Sequence, residues 1–145
     1  MPINGFNKTT LLDYPGKIAS TIFLGGCNFR CPFCQNSSLV LSPNKQPVIS
    51  TEEVLSVLKK RQGILEGVCI TGGEPTLDKD LLLLIDKIKE LGYPVKLDTN
   101  GSHPWILKKL VNDQMIDMVA MDIKSSKESY AKVSGCKNID LTSIC

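Results

Sequence analysis

Three cysteines in one short loop are the residues of this chain best suited to chemistry. Cys27, Cys31 and Cys34, called the loop cysteines below, are spaced C-x3-C-x2-C and follow the apolar run 18–24. Four thiolates would close the coordination of a structural zinc ion or an iron–sulfur cluster, whereas three can hold three irons of a cubane cluster and leave the fourth iron free. The motif therefore predicts a metal centre with an open coordination position.

The composition indicates one globular domain that spans residues 1–145. With 42% hydrophobic residues and a net charge of +2, the chain can bury a core. Its lysines and arginines are scattered, which argues against a nucleic-acid footprint or a polybasic membrane patch. No apolar run approaches the roughly 20 residues that span a bilayer, and the first residues lack the pattern of a secretory signal. These features predict a cytoplasmic protein that binds neither nucleic acid nor membrane.

The other cysteines and the single histidine carry weaker signals. Cys69 lies in an apolar run, where a buried structural thiol is the more frequent role. Cys136 and Cys145 have no histidine nearby, so they are either buried or part of a second metal site. A disulfide framework is disfavoured because a reducing cytoplasm keeps thiols free. His103 stands at an ordinary helix entry, which favours a solvated side chain over a catalytic one.

Short apolar runs alternate with helical patterns along the chain, as expected for successive βα units that form a parallel sheet. The predicted strands are 18–24, 67–70, 93–97 and 115–123. The predicted helices start after Ser50, cover 81–91 with Gly92 as the closing glycine, start at or beside Ser102, and cover 126–133. Residues 13–16 predict a turn before the first strand. Right-handed crossovers would place every loop that follows a strand at the same edge of the sheet.

Four polar motifs follow these four strands and are expected to converge. The loop cysteines follow the first strand, and T-G-G-E-P at 71–75 follows the second. D-T-N-G at 98–101 follows the third strand, and D-I-K at 122–124 ends the fourth. Each motif alone is more typical of a turn or a helix cap than of a binding site. Together, beside an open metal centre, they predict a functional site.

The same motifs carry a resemblance to a known family. The loop cysteines, with Phe33 directly before the third, and the Gly-Gly-Glu-Pro at 72–75 resemble the radical S-adenosylmethionine superfamily. The nearer resemblance is to activating enzymes of glycyl-radical proteins. The stretch 8–19 resembles the start of the proteins that activate anaerobic ribonucleoside-triphosphate reductase, and the D-T-N-G and D-I-K motifs resemble those of pyruvate formate-lyase activating enzyme. The similarity extends from Gly5 to about Gly135.

The resemblance implies a [4Fe–4S] cluster on the loop cysteines, whose open iron binds S-adenosylmethionine and whose electron cleaves it to a 5′-deoxyadenosyl radical. Phe33 would then help to hold the adenine. Gly72 and Gly73 would let the backbone approach the methionyl group. Glu74 would accept a hydrogen bond from the methionyl amino group, and Lys124 would bind its carboxylate.

The resemblance also implies further ligands and partners. Asp98, Thr99 and Asp122 resemble residues that bind a monovalent cation beside the methionyl carboxylate, so that Asp98 and Asp122 would also belong to the cofactor site. The implied protein partner is a glycyl-radical enzyme, with anaerobic ribonucleotide reductase favoured. The implied electron donor is flavodoxin-like or ferredoxin-like.

Two other interpretations stay open at this point. One is a radical enzyme of the same superfamily that acts on a small molecule, such as 7-carboxy-7-deazaguanine synthase, although the Asp-Tyr-Pro-Gly segment at 13–16 argues against it. The other is a non-catalytic zinc or iron–sulfur module whose fourth ligand comes from Cys136, Cys145 or a partner chain.

The fold implied by the resemblance is larger than this chain. The sequence contains about four βα units, whereas the similar enzymes form a partial (β/α)6 barrel. We therefore expect an α/β fold that is the N-terminal part of a partial barrel, truncated at its C-terminus, because an open parallel edge is otherwise an aggregation risk. The alternative is a naturally short chain whose open sheet edge is covered by a partner or a second copy.

Overall fold

A five-stranded sheet lies at the centre of the computed structural model, which describes residues 3–137 and 139–144. The strands stand in the sheet in chain order: β1 (Ile3–Thr10), β2 (Ala19–Leu24), β3 (Gly67–Gly72), β4 (Val95–Thr99) and β5 (Met118–Met121). Strands β2 to β5 are parallel, and β1 pairs with β2 in the antiparallel sense. The predicted α/β class with four parallel βα units is confirmed.

The helices follow the parallel strands: α1 (Ser37–Leu41), α2 (Thr51–Lys60), α3 (Leu81–Glu90), α4 (Pro104–Asn112) and α5 (Tyr130–Ser134). Helix α2 begins where predicted, because Ser50 Oγ accepts a hydrogen bond from the backbone N–H of Glu53 at 3.1 Å. Gly92 follows the end of α3 with a φ of 85°, a conformation that favours glycine. Helix α4 begins after His103, beside the predicted cap.

Several strand boundaries differ from the predicted ones. Strand β3 extends to Gly72 because it pairs in register with the whole of β2, up to Leu24. Strand β4 continues to Thr99, so part of the D-T-N-G motif belongs to the strand and not to the loop. Strand β5 is shorter than 115–123, because the N–H of Met115 still bonds to the last turn of α4 through the carbonyl of Leu110 at 2.9 Å.

Strand β1 is absent from the sequence prediction. Its register on β2 shifts between Ile3 and Gly5 and again between Asn7 and Thr10, so the strict alternation that reveals a strand is broken. The following turn is closed by the N–H of Lys17 on the carbonyl of Tyr14 at 3.1 Å, close to the predicted position. The edge of β2 is therefore covered by chain that the sequence pattern did not reveal.

The two faces of the sheet differ in chemistry. One face packs against α2, α3 and α4 in the main hydrophobic core, which includes Ile22, Ile70 and Leu97. The opposite face carries buried polar side chains, among them Thr21 and Lys96. In the described part of the chain, no helix is long and apolar enough to cross a membrane. The polar face leads directly to the edge where the predicted motifs meet.

Candidate functional site

The carboxyl ends of the four parallel strands open into one cavity of about 470 Å³. Every predicted site residue except one lines it: Cys27, Cys31, Phe33, Cys34, Gly72, Gly73, Asp98, Thr99, Asp122 and Lys124. The exception is Glu74. The predicted convergence of the four motifs is therefore a feature of the structure, and the loops that follow β2, β3, β4 and β5 build it together.

The loop cysteines line the cavity as free, half-buried thiols. Burial raises the pKa of Cys27, and the charges of Glu74 and the other loop cysteines raise it further. Burial also raises the pKa of Cys31, whereas the ammonium group of Lys124 lowers it. Because thiolates are the metal-binding form, a bound cation and the nearby lysine would favour the charged state that burial opposes.

The glycine pair joins the cysteine loop to β3. The N–H of Gly73 donates to the carbonyl of Leu24 at 2.9 Å, and the N–H of Glu74 donates to the carbonyl of Gly26 at 2.8 Å. A Cβ on Gly73 would lie 1.9 Å from the Gly26 oxygen, and one on Gly72 would lie 2.2 Å from the Leu24 oxygen. These glycines are therefore required for the backbone contact that carries the cysteine loop, whatever else they approach.

Helix α5 holds the other side of the cysteine loop. The N–H of Arg30 donates to the carbonyl of Ser134 at 2.7 Å, and the thiol of Cys136 donates to the carbonyl of Asn28 at 3.0 Å. The rings of Phe29 and Tyr130 meet edge to face with centroids 6.4 Å apart. The loop is thus clamped between β3 and α5. Sequence reasoning left Cys136 unplaced, and Cys145 lies outside the described residues.

Glu74 points into the protein and not into the cavity. It is 1% exposed, and its carboxylate accepts hydrogen bonds from the backbone N–H of Thr76 at 3.1 Å and from the hydroxyl of the same residue. It also accepts from the Thr99 hydroxyl at 2.7 Å and the Asn100 N–H at 2.6 Å. The carboxylate therefore ties the Gly-Gly-Glu-Pro segment to the D-T-N-G segment.

Asn100 extends this hydrogen-bond network to the cysteine loop. Its amide Nδ2 donates to Asn28 Oδ1 at 2.9 Å and lies 3.8 Å from Cys27 Sγ. The Asn28 amide in turn donates to the Ser102 hydroxyl at 2.8 Å. Neither Asn100, within its D-T-N-G motif, nor Asn28 is among the residues to which the sequence assigns a role. A polar residue directly after a loop cysteine was the available signal.

His103 has a partner in the same network. Its Nδ1 lies 3.0 Å from the hydroxyl oxygen of Thr76, whose single proton goes to Glu74. Nδ1 must then carry the hydrogen and donate it to Thr76. His103 is half-buried, and it supports Glu74 through Thr76, in place of the solvated role that the sequence favoured.

The D-I-K motif places a cation in the lining of the cavity. Lys124 Nζ lies 3.0 Å from Asp122 Oδ2. Burial alone lowers the pKa of Lys124, but the hydrogen bond and charge of Asp122, together with Cys31 and Cys27, raise it above its usual value. The ammonium group therefore stays charged beside the loop cysteines, where it can bind an anionic group of a ligand.

At the base of the cavity, buried Lys96 and Cys69 contact half-buried Asp98 on the polar face of the sheet. Lys96 Nζ forms an ion pair with Asp98 and lies 3.7 Å from Cys69 Sγ. Burial, followed by the charge of Asp98, raises the pKa of Cys69 to about 12. The prediction of a buried Cys69 is confirmed, since the residue is 0% exposed. Lys96 was not among the predicted site residues.

The three thiols of the loop cysteines are a donor set that suits a cubane iron–sulfur cluster. Within residues 3–137 and 139–144, no group of three or more cysteine, histidine or carboxylate side chains is arranged around one ion position. A cubane cluster has no such requirement, because each thiolate binds a different iron. The three loop cysteines and the 58% exposed Phe33 line the same cavity, so these thiols would hold three irons of such a cluster and leave the fourth without a protein ligand.

Comparison with known proteins decides the family. The profile described as the Radical SAM superfamily matches residues 21–142, which include all four motifs, the loop cysteines among them. The chain belongs to this superfamily. Its resemblance to radical S-adenosylmethionine enzymes, stated from the motifs, is thereby confirmed, and the family implies a [4Fe–4S] cluster and S-adenosylmethionine as cofactors.

Individual relatives agree with this membership. The chain is 36% identical over 136 residues to a protein of Methanocaldococcus jannaschii named "putative glycyl-radical enzyme activating enzyme", covering 93% of this chain and 55% of the relative. It is 33% identical over 106 residues to 7-carboxy-7-deazaguanine synthase of Halobacterium salinarum, covering 70% of this chain and 40% of that one. The chain thus spans about half the length of the curated relatives it matches.

A solved structure shares the fold. TYW1 with a lysine-pyruvate adduct bound superposes with a TM-score of 0.58 at 21% identity, over 87% of this chain and 49% of that one. At this identity the likeness supports the partial radical SAM fold alone.

Proposed function

We propose that this radical SAM protein generates a glycyl radical on a partner enzyme, and that the partner is anaerobic ribonucleoside-triphosphate reductase. The observation that carries the proposal is the single cavity in which the loop cysteines meet the glycine pair, Asp98 and Lys124. The relative named as an activating enzyme supports the glycyl-radical assignment. The resemblance of residues 8–19 to reductase activators supports the choice of partner.

The side chains of the cavity suit the parts of S-adenosylmethionine. When bound, the cluster and S-adenosylmethionine supply a one-electron reductive cleavage of the bond between the sulfonium and the 5′ carbon. Lys124 would bind the methionyl carboxylate, and Phe33 would hold the adenine. The backbone of Gly72 and Gly73 lines the cavity, where it can meet the methionyl group. Glu74 would act indirectly, through the position of Asn100.

The proposed reaction moves one hydrogen atom. A backbone glycine of the partner loses a hydrogen atom to the 5′ carbon, which gives 5′-deoxyadenosine and leaves the unpaired electron on the glycine. A flavodoxin-like or ferredoxin-like protein would supply the electron. We propose the cytoplasm as the site of action, because its reducing conditions keep the loop cysteines free for iron.

The test is an anaerobic activation assay. The reconstituted chain is reduced, mixed with S-adenosylmethionine and the reductase, and examined for 5′-deoxyadenosine and for the electron paramagnetic resonance signal of a glycyl radical. The proposal predicts both products, and neither in a Cys34→Ser variant. Absence of both from a protein that holds its cluster would contradict it.

The second candidate is catalysis on a small molecule. The similarity to 7-carboxy-7-deazaguanine synthase supports it. The same assay separates the two functions, because 5′-deoxyadenosine formed without any glycyl radical on the partner would support the small-molecule reaction.

A further inference from the structure

Both carboxylates that were expected to bind a monovalent cation already have a lysine partner two residues away in the chain. Asp98 forms an ion pair with Lys96, and Asp122 forms one with Lys124 at 3.0 Å. Each pair is electrically neutral. A cation placed between the carboxylates would meet two ammonium groups as well as two carboxylates, so its net attraction would be small.

The ion pair between Lys96 and Asp98 lies mostly inside the protein. Lys96 and Asp98 project from the same face of β4, as residues two apart in a strand do. The Lys96 side chain is 8% exposed, whereas that of Asp98 is 31% exposed and lines the cavity. Cys69 stands opposite Lys96 in the pairing of β3 with β4, and its Sγ lies 3.6 Å from Asp98 Oδ2.

We propose that the Lys96 ammonium takes the place of the monovalent cation in this chain. It neutralises Asp98 from beneath the cavity floor and holds that carboxylate in place. Lys96 is thus a positioning residue, which acts on the cavity through Asp98. The inference rests on the proposed binding of S-adenosylmethionine in this cavity.

The matched variants are Lys96→Met and Lys109→Met. Methionine keeps much of the length of the lysine side chain and removes its charge, which leaves Asp98 without a counter-ion. Lys109 also pairs with a carboxylate, that of Asp113 at 2.6 Å, but it lies on the exposed face of α4. Its loss should not affect the cavity.

The first measurement is the affinity of the reconstituted chain for S-adenosylmethionine in choline, sodium and potassium chloride at equal ionic strength. The wild type and Lys109→Met should bind equally in all three salts, within about twofold. Lys96→Met should bind S-adenosylmethionine roughly tenfold more weakly in choline chloride. Its affinity should recover in sodium or potassium chloride, because the metal ion can take the position of the missing ammonium group beside Asp98. A wild type that needs sodium or potassium, or a Lys96→Met variant that binds as the wild type does in choline, would overturn the inference.

The second measurement needs no S-adenosylmethionine and so separates this inference from the proposed function. Sodium-23 nuclear magnetic resonance relaxation reports bound sodium directly. Lys96→Met should show relaxation that potassium chloride displaces, and the wild type and Lys109→Met should not. Displaceable sodium relaxation in the wild type would overturn the inference even if the variant failed to fold.

Discussion

Replacing Gly135 with alanine should release the cysteine loop from α5. Gly135 has a φ of 71°, and a Cβ built on it would lie 2.6 Å from the backbone oxygen of Arg30 and 2.9 Å from the Arg30 Cβ. Alanine in this left-handed conformation costs about 1 kcal/mol. The overlap with rigid backbone adds about 1–3 kcal/mol. The expected total is about 2–4 kcal/mol, and relief of the overlap must move Arg30, which directly precedes Cys31.

Gly92→Ala is the matched control for this substitution. Gly92 also follows a helix and has a φ of 85°, but a Cβ there would have no neighbour within 4 Å. Gly92→Ala should therefore lower the free energy of unfolding by only about 1 kcal/mol, which is the cost of alanine in the left-handed conformation. It lies in the turn after α3, away from the cavity.

Two assays compare the variants. Urea unfolding before cluster insertion gives the free energy of unfolding, and iron per chain after anaerobic reconstitution gives cluster retention. Gly135→Ala should lose the larger stability and hold less than roughly half of the wild-type iron, because the ligand loop is no longer held in position. Gly92→Ala should keep its iron. Equal stability losses together with equal iron contents would refute the clamp between α5 and the cysteine loop.

Three further predictions concern the site and the network beneath it. Serine in place of any one loop cysteine should prevent formation of an intact [4Fe–4S] cluster, measured as iron and sulfide per chain. The control Cys136→Ser should retain the cluster, and loss of the cluster in that variant would support a fourth protein ligand. Glu74→Gln should lower the free energy of unfolding in urea by about 2–4 kcal/mol, because the glutamine amide group is a donor that faces other hydrogen-bond donors. The exposed control Glu90→Gln should change the free energy of unfolding little, and equal losses in the two variants would contradict the buried role of Glu74. At pH 8 iodoacetamide should label Cys69 more slowly than Cys136, by roughly a hundredfold or more, because the Cys69 pKa of about 12 leaves little of its thiolate. Equal labelling rates, measured by mass spectrometry, would show that Cys69 is exposed.

The part of the site that the sequence predicts is the part specified by local motifs. Parallel strands bring the ends of successive βα units together, so the positions of the loop cysteines and of Lys124 follow from chain order alone. The direction in which Glu74 points does not follow from it. That direction depends on which donors β4 and the residue after it present, and Asn100 is 26 residues away in the chain.

Two further features escape local patterns for the same reason. Strand β1 has irregular alternation and exists as a strand because β2 offers it an edge. The side chains of Lys96 and Asp98 share a face of β4, as any residues two apart in a strand do, but only the register places Lys96 beside Cys69 in the interior. In both cases the deciding contact is long-range, and a single sequence carries no signal of it.

The central claim is that the cluster has an iron that no protein side chain binds. Electron–nuclear double resonance of the reduced cluster, with S-adenosylmethionine labelled with nitrogen-15 in its amino group, tests it directly. We predict a hyperfine coupling between the labelled nitrogen and the cluster, unchanged in Cys136→Ser. A cluster that shows no coupling to the label at saturating S-adenosylmethionine, and whose spectrum changes in Cys136→Ser, would contradict the claim.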